Sequence, residues 1–512
     1  MNNVMKEKMR AVCGWMRRPQ AQCIALTVGV LLFTLGTPVQ IVLCVALFAA
    51  TLCADLVSAL GMYVFMFFMD DVTVSAFLGG SASRVMQVAL LLRVLFVYGK
   101  TLRTEGKEAL RRLKRSDVGL AAFALFAIGM GLIDHGLSAD TASFAVNAGL
   151  FILLRPVVRA RGAQTTLETL LRYYVRGALA AVLIGLVEGR FLATMLNENT
   201  QSCVRFKGTS EPNFMAAHLS IAVHMHLSLK QERSRIRDAL MTGVLGCAIL
   251  MTYSMTGILC FALATIALLI VHRDEMKKLL TRIGLALPVA ALCFALVTGY
   301  VSLRGVEAFN HGVLGGNALE KIYHVTPEGY ERMRHGATFE EVAILASDFM
   351  TPEERVITMK GEAAAMANEA QGSALLIRIQ EAILRLKAGD YDALTSGRYG
   401  LLQMKMSDYA LLPLWQKAFG TGPDAVITYQ PLSWRINYSH NSYADMLYST
   451  GFVGFAVIVL YIIHLQRRRM FAGERMTGDA ARALLMGRTS LLVSAMVLSM
   501  HTSRTMLFFL IL

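Results

Sequence analysis

Fourteen apolar runs constrain this chain more than any other feature. They fall near 21–36, 38–54, 56–69, 84–98, 118–134, 140–154, 168–190, 213–230, 238–252, 255–271, 282–301, 447–465, 483–500 and 504–512. A helix needs about 20 residues to cross a bilayer core, so these runs would claim roughly 280 residues. Several are short, and Gly36-Thr37-Pro38 divides the first two. The pattern therefore predicts an all-α, polytopic membrane protein with about 12–14 transmembrane helices. Of the 512 residues, 55% are hydrophobic and 17% charged, and the mean hydropathy is +0.50. A soluble domain carries about 25% charge. A soluble enzyme on a single anchor, a secreted domain and a disordered chain are all excluded as readings.

Charge sets the expected orientation. Lys and Arg crowd residues 1–20, 99–116, 155–167, 230–238, 272–282 and 466–482, whereas Asp70, Asp71, Asp134 and Asp140 mark the intervening turns. Short basic loops stay cytoplasmic, which puts the N-terminus inside and 70–83, 134–140, 190–212 and 303–446 outside. No small-residue cleavage site ends the first apolar run, so it reads as an uncleaved signal anchor. Residues 303–446 hold 13 Lys/Arg against 17 Asp/Glu, a net of −4, although the whole chain is +14. The basic excess thus sits on the membrane segments, where it suits anionic headgroups, and predicts no nucleic-acid partner. Three regions follow: an N-terminal bundle (1–302), a large outer helical loop (303–446) and C-terminal helices (447–512).

Of eight cysteines, Cys13 lies in the basic N-terminus, six lie in apolar runs, and Cys203 alone faces outside. That arrangement offers neither a disulfide framework nor metal-type spacing. Within the large loop, Thr338-Phe339-Glu340-Glu341 and Thr351-Pro352-Glu353-Glu354 read as capping boxes that open helices. The second helix carries Leu376, Ile379, Ile383 and Leu386 on one face and ends at Gly389. A third is predicted from about Tyr399 to Phe419, stopping at Gly420. Gly420-Thr421-Gly422-Pro423 and Pro431 then turn the chain back towards the membrane, which it enters at about Leu447.

Polar residues crowd that descent: Trp434, Arg435, Asn437, Tyr438, Ser439, His440, Asn441, Tyr443 and Asp445. Two readings of His440 stand side by side. It is a bystander next to a Ser439 or Asn441 helix cap, or it is a base that takes a proton near neutral pH. Arg398, in Ser396-Gly397-Arg398, is either a solvated head or a fork for phosphate oxygens at a helix entrance. Arg205 and Lys207, in Val204-Arg205-Phe206-Lys207-Gly208-Thr209-Ser210-Glu211-Pro212-Asn213, break the outer acidic pattern. They contact outer headgroups or hold an anionic ligand at the membrane rim. Thr252-Tyr253-Ser254 forms a small turn between two spans. Arg93 and Arg488 are placed to snorkel, and Glu188, His501 and Arg504 lie near the outer rim. His224 and His226 are two residues apart, poor joint ligands, and read as interfacial. There is no P-loop and no cytoplasmic D-x-D for a metal-bound nucleotide sugar.

With these residues in view, the last 320 or so residues resemble the O-antigen ligase and O-antigen polymerase superfamily of bacterial membrane glycosyltransferases. Four stretches carry the resemblance in order. They are Arg205…Gly208…Pro212-Asn213, Thr252-Tyr253-Ser254, Ser396-Gly397-Arg398, and Gly420-Thr421-Gly422 followed by His440-Asn441 and Gly451…Gly454. Such proteins pass a glycan from an undecaprenyl-diphosphate carrier to an acceptor sugar, without nucleotide sugar, metal or other cofactor. The resemblance implies that His440 deprotonates the acceptor hydroxyl and that Arg398 and Arg205 hold the lipid diphosphate. Lys207 and Arg435 are further cations for that charge, and Asn213, Asn441 and Tyr443 further substrate contacts. Met255 stands where the family commonly has arginine.

The implied partners are the carrier-linked glycan, an acceptor glycan or glycolipid, membrane lipid and other polysaccharide-assembly proteins. Two readings from other classes compete. A lipid-linked oligosaccharide flippase would show repeated halves, broken spans and polar residues at mid-membrane. A non-catalytic partner of a polysaccharide assembly complex would fit a site altered at Met255.

Overall fold

The computed structural model describes residues 18–69, 73–74, 80–105, 113–195, 202–229, 235–304, 323–325, 343–345, 383, 386–387, 389, 398–423, 427–429, 434–436, 439–500 and 503–512. Helices dominate, and each strand pairs with a single neighbour. In chain order the helices are α1 (Pro19–Leu32), α2 (Thr37–Cys53), α3 (Leu56–Phe65), α4 (Ala82–Glu105), α5 (Arg115–His135), α6 (Ala139–Ala160), α7 (Ala163–Val187), α8 (Pro212–Ser228), α9 (Arg235–Met251), α10 (Met255–Val271), α11 (Met276–Arg304), α12 (Arg398–Leu411), α13 (Leu414–Phe419), α14 (Ser442–Arg468), α15 (Gly478–Ala495) and α16 (Arg504–Ile511). Among the described residues, six segments are long and apolar enough to cross a membrane: Ala82–Thr101, Arg115–His135, Asp140–Ala160, Ala163–Val187, Arg273–Leu303 and Ser442–Arg468. Shorter apolar helices occupy Pro19–Leu32, Thr37–Cys53, Leu56–Phe68 and Thr256–Val271.

Local chemistry sets the boundaries. Gly36, at φ +104°, separates α1 from α2, whose first turn holds Pro38. Asp55 caps α3 by accepting from Val57 N and Ser58 N at 3.0 and 3.1 Å. Ser138 caps α6 and Ser254 caps α10 in the same manner. Helix α8 lies at the centre, packed on α7, α9, α10 and α15, with almost every residue buried. Helix α11 packs along α9 and turns Leu285, Leu287, Leu292 and Leu296 outward. Small residues permit the closest approaches: Gly177 of α7 lies against Phe65, and Gly61 of α3 against the Tyr173 ring. An aromatic cluster fills the space between α3, α6, α7 and α16, with the Phe68 and Tyr174 rings 4.8 Å apart and Phe67 and Phe508 5.8 Å apart.

Buried charge sits at the end of the bundle where α14 passes to α15. Asp117 accepts from Arg155 Nε at 2.6 Å and pairs with Arg159. Arg159 also donates to Ala472 O at 2.8 Å, in the hairpin of Met470–Phe471 with Glu474–Arg475. Arg155 reaches Ile511 O, and Arg488 Nε reaches Phe509 O at 2.7 Å. Two cations therefore meet the negative end of the α16 dipole.

Four expectations are corrected. Arg488 does not snorkel: it is 1% exposed, drawn inward by the α16 carbonyl. His224 is not interfacial but fully buried, its ring nitrogens 2.9 Å from Ser490 Oγ and 3.0 Å from Thr265 Oγ1. Hydroxyls from two neighbouring helices offset the cost of removing imidazole from water. The helix predicted from Tyr399 to Phe419 is broken at Leu412-Pro413, because proline removes a donor and disfavours helix before it. The helix expected after Thr338-Phe339-Glu340-Glu341 is replaced at Ala343–Leu345 by a strand paired with Tyr323–Val325, a non-local match that local capping signals do not reveal. The capping boxes themselves, Asp70, Asp71, Cys13 and His501 lie outside the described residues. Ile383 and Leu386 are helical and exposed, and Gly389 follows at φ +73°.

Candidate functional site

The first cluster is built around Asn213. A hairpin, Phe191–Met195 against Ser202–Phe206, brings Arg205 back over the start of α8. Its exit is tight: Gly208 has φ +60°, and a Cβ there would lie 2.8 Å from Met215. Glu211 caps α8 by accepting from Asn213 N at 2.9 Å and Phe214 N at 3.2 Å. Its other oxygen accepts from Asn213 Nδ2 at 2.6 Å, which fixes the amide. Asn213 Oδ1 then accepts from Arg205 Nη2 at 3.0 Å and from Ser254 Oγ at 2.7 Å. Arg205 Nε donates to Thr252 O at 2.7 Å.

The Thr-x-Ser motif is explained by this closure. Thr252 offers its carbonyl, Ser254 offers its hydroxyl, and buried Tyr253 between them takes φ +47° so that both face Arg205 and Asn213. Left-handed backbone at a bulky residue persists only where the surroundings over-determine it. Asn213, expected to touch substrate, is bonded within the protein at both ends of its amide and orients Arg205. Lys207 is half-buried beside it, its backbone N–H on Arg190 O at 3.0 Å.

The second cluster opens α14. His440 is half-buried at φ +54°. Asn441 caps the helix on Tyr443 N and Ala444 N at 3.0 and 3.1 Å, and its Nδ2 donates to Met496 O at 3.0 Å. Ser442 Oγ donates to Leu498 O and accepts from Met500 N, and Tyr443 OH donates to Leu492 O at 2.9 Å. These bonds make Asn441 and Tyr443 ties between α14 and the end of α15. Beneath the turn lies Asp445, fully buried, which accepts from Ser439 N and Oγ at 3.2 and 2.9 Å and from Ser499 Oγ at 2.6 Å. Lys405 of α12 places its ammonium 3.9 Å from Asp445 Oδ1 and 4.2 Å from the centre of the Tyr448 ring.

The glycine motif is a backbone latch. Gly451, at φ +64°, kinks α14 and releases carbonyls one turn earlier. Thr421 N and Gly422 N take up Tyr448 O and Ser449 O at 3.2 and 2.9 Å. A Cβ on Gly420 would lie 2.2 Å from Ser449 O, and one on Gly422 would lie 2.2 Å from Gly131 Cα. Helix α13 is seated by Gln416 Nε2 on Asp134 Oδ1 at 2.6 Å. Tyr409 of α12 donates to Lys417 O at 2.7 Å, and burial pushes its phenol above the usual value.

The two clusters share one end of the bundle. Cys260, on the second turn of α10, meets Val493 O at 3.6 Å near the end of α15. One turn on, Met496 O receives Asn441. Other predicted residues fall elsewhere: Arg504 reaches Ser83 and the face of Phe67, and Glu188 pairs with Arg190. Arg398 is the first residue of α12, Arg435 lies in the strand Trp434–Ile436, and Met255 opens α10. The side chains of these three lie outside the described residues. Among the described residues no three His, Cys, Asp or Glu side chains group as a metal ion would require. Glu211, Lys405 and Ser499 were not anticipated as site residues, and Asp445 stood out only as one polar residue among many. The Glu-Pro-Asn spacing is a cap signal that could have marked Glu211; nothing local marks the other three.

Compared with known proteins, the chain matches no family model, no curated protein and no solved structure.

Proposed function

We propose that this chain is a polytopic membrane glycosyltransferase of the O-antigen ligase or polymerase kind, acting at the outer face of the bacterial cytoplasmic membrane in surface polysaccharide synthesis. Its donor is a glycan on undecaprenyl diphosphate and its acceptor a sugar hydroxyl. His440 takes the acceptor proton as the oxygen attacks the anomeric carbon. The bond to the carrier breaks, and its electron pair leaves on the diphosphate, whose charge Arg205, Lys207, Arg398 and Arg435 neutralise. Such a leaving group needs no further activation, so a base and cations suffice.

One observation carries the reading. Arg205, Asn213, Thr252 and Ser254, widely spaced in the chain, close into one hydrogen-bonded knot at the same end of the bundle as His440. The basic loops favour the opposite end as the cytoplasmic one. The test is glycan transfer by the purified protein in lipid nanodiscs, with carrier-linked repeat units of defined length. Chain growth without added core acceptor marks a polymerase, and transfer only onto a lipid A-core acceptor marks a ligase. Full transfer by a folded His440→Ala variant would overturn the reading.

One observation favours the flippase alternative. His224 is buried one turn from the end of α8 with Ser490 and Thr265, and His218, nearer the middle of that helix, meets Tyr174 OH at 3.1 Å. Polar groups inside a membrane bundle serve translocation or helix association. Carrier-lipid movement across vesicles that persists in His440→Ala and is lost in His224→Leu would select that alternative.

A further inference from the structure

We propose that Asp445 is a positioning residue for His440, and that Lys405 makes this positioning depend on the seating of α12. The inference rests on the glycosyltransferase reading for its kinetic consequences but not for its geometry. His440 holds a left-handed backbone that a non-glycine residue keeps only under constraint. The constraint comes from the carboxylate below it. Asp445 Oδ1 accepts from both the N–H and the hydroxyl of Ser439, the residue before His440. The Ser439 hydroxyl in turn accepts from Asn441 N at 3.2 Å, on the far side of His440. Asp445 Oδ2 is held by Ser499 at 2.6 Å, which ties the turn to the segment after α15. One carboxylate therefore fixes both flanks of the histidine.

A buried carboxylate at 0% exposure requires a countercharge. Lys405 supplies it from α12, at 1% side-chain exposure, with its ammonium also over the face of Tyr448. Helix α12 belongs to the large segment between α11 and α14, so a part of that segment completes the charge balance under the candidate base. Arg398 opens the same helix seven residues earlier, about 10 Å along the axis. Seating α12 thus sets Asp445, and through it His440, in one step with placing the Arg398 end of the helix. The base would be aligned when the diphosphate-binding helix is in place, which is the logic of closure that assembles a site only around its substrate.

Three variants test this alongside His440→Ala. Asp445→Asn keeps the shape and removes the charge, Lys405→Met removes the countercharge, and Ser499→Ala removes a single hydrogen bond. In nanodiscs, Asp445→Asn is expected to lower kcat for glycan transfer about 100-fold, as a small misplacement of a reacting group can, with KM for the carrier-linked glycan unchanged. Ser499→Ala, the mildest, should lower kcat about fivefold. Lys405→Met added to Asp445→Asn should cost nothing more, because both act on one arrangement. Amide hydrogen exchange reads the geometry without catalysis: Asp445→Asn should speed exchange at 439–441, and Lys405→Met at both 398–411 and 439–441. Wild-type exchange at 439–441 in both variants would overturn the proposal, as would wild-type kcat in Asp445→Asn while His440→Ala is inactive. Exchange that changes as expected in a protein without transfer activity would instead support the positioning and sink the glycosyltransferase reading.

Discussion

The Asn213 knot and the His440 turn lie at one end of the bundle but are built in opposite ways. The knot is assembled from segments that flank one helix pair. Its bonds are short, and half-buried Glu211 both caps the helix it touches and holds the Asn213 amide. The turn draws on three distant stretches, around Lys405, Asp445 and Ser499, and its centre is an ion pair excluded from water. The hydrogen bonds of the knot form whenever α8 and α10 pack, whereas a buried ion pair is stable only when both partners arrive and all polar atoms are met. Under the proposed function, a firmly bonded Arg205 and a His440 turn that depends on an ion pair would divide holding a charged donor from timing the chemistry.

This contrast can be broken at several points. The largest effect is expected from His440→Ala, which should lower transfer about 1,000-fold, within the range for a general base, with thermal stability kept. Next, Gly422→Ala should destabilise the latch by about 3 kcal/mol, through left-handed strain and overpacking on Gly131. It is read as a lowered melting temperature together with lost transfer. If the knot works through directional bonds, Arg205→Lys will not substitute: about 2 kcal/mol of barrier should be lost with the charge retained. Equal kcat/KM in the lysine variant would show that charge alone matters there. The smallest effect belongs to Asn441→Ala, a cap worth about 1 kcal/mol of stability by thermal unfolding. A loss of transfer far beyond that of stability would return Asn441 to the substrate contacts.

Helix limits and caps were largely legible. Gly36-Thr37-Pro38 between the first two runs and the Asn441 cap act through neighbours two to four residues away, so their roles appear in the string itself. The Thr-x-Ser turn was legible as a motif, though not as the grip on Arg205 and Asn213 that gives it meaning. His224 and Arg488 were misplaced for one shared reason. A polar side chain in an apolar run looks as though it must escape to an interface, unless the hydroxyls or carbonyl that receive it on another helix are known. Lys405 was invisible for the same reason, since a lysine in a loop helix is ordinarily solvated.

By itself, the string of residues determined that the chain is helical, where most helices begin, and which polar stretches stand at their ends. Periodicity, capping and glycine placement act over a few residues, and no distant partner can cancel them. Only the tertiary structure decided which charges are buried and what each one meets. The free energy of a buried ion depends on groups such as Ser499 and Lys405, brought to Asp445 from far along the chain. No local pattern encodes that meeting.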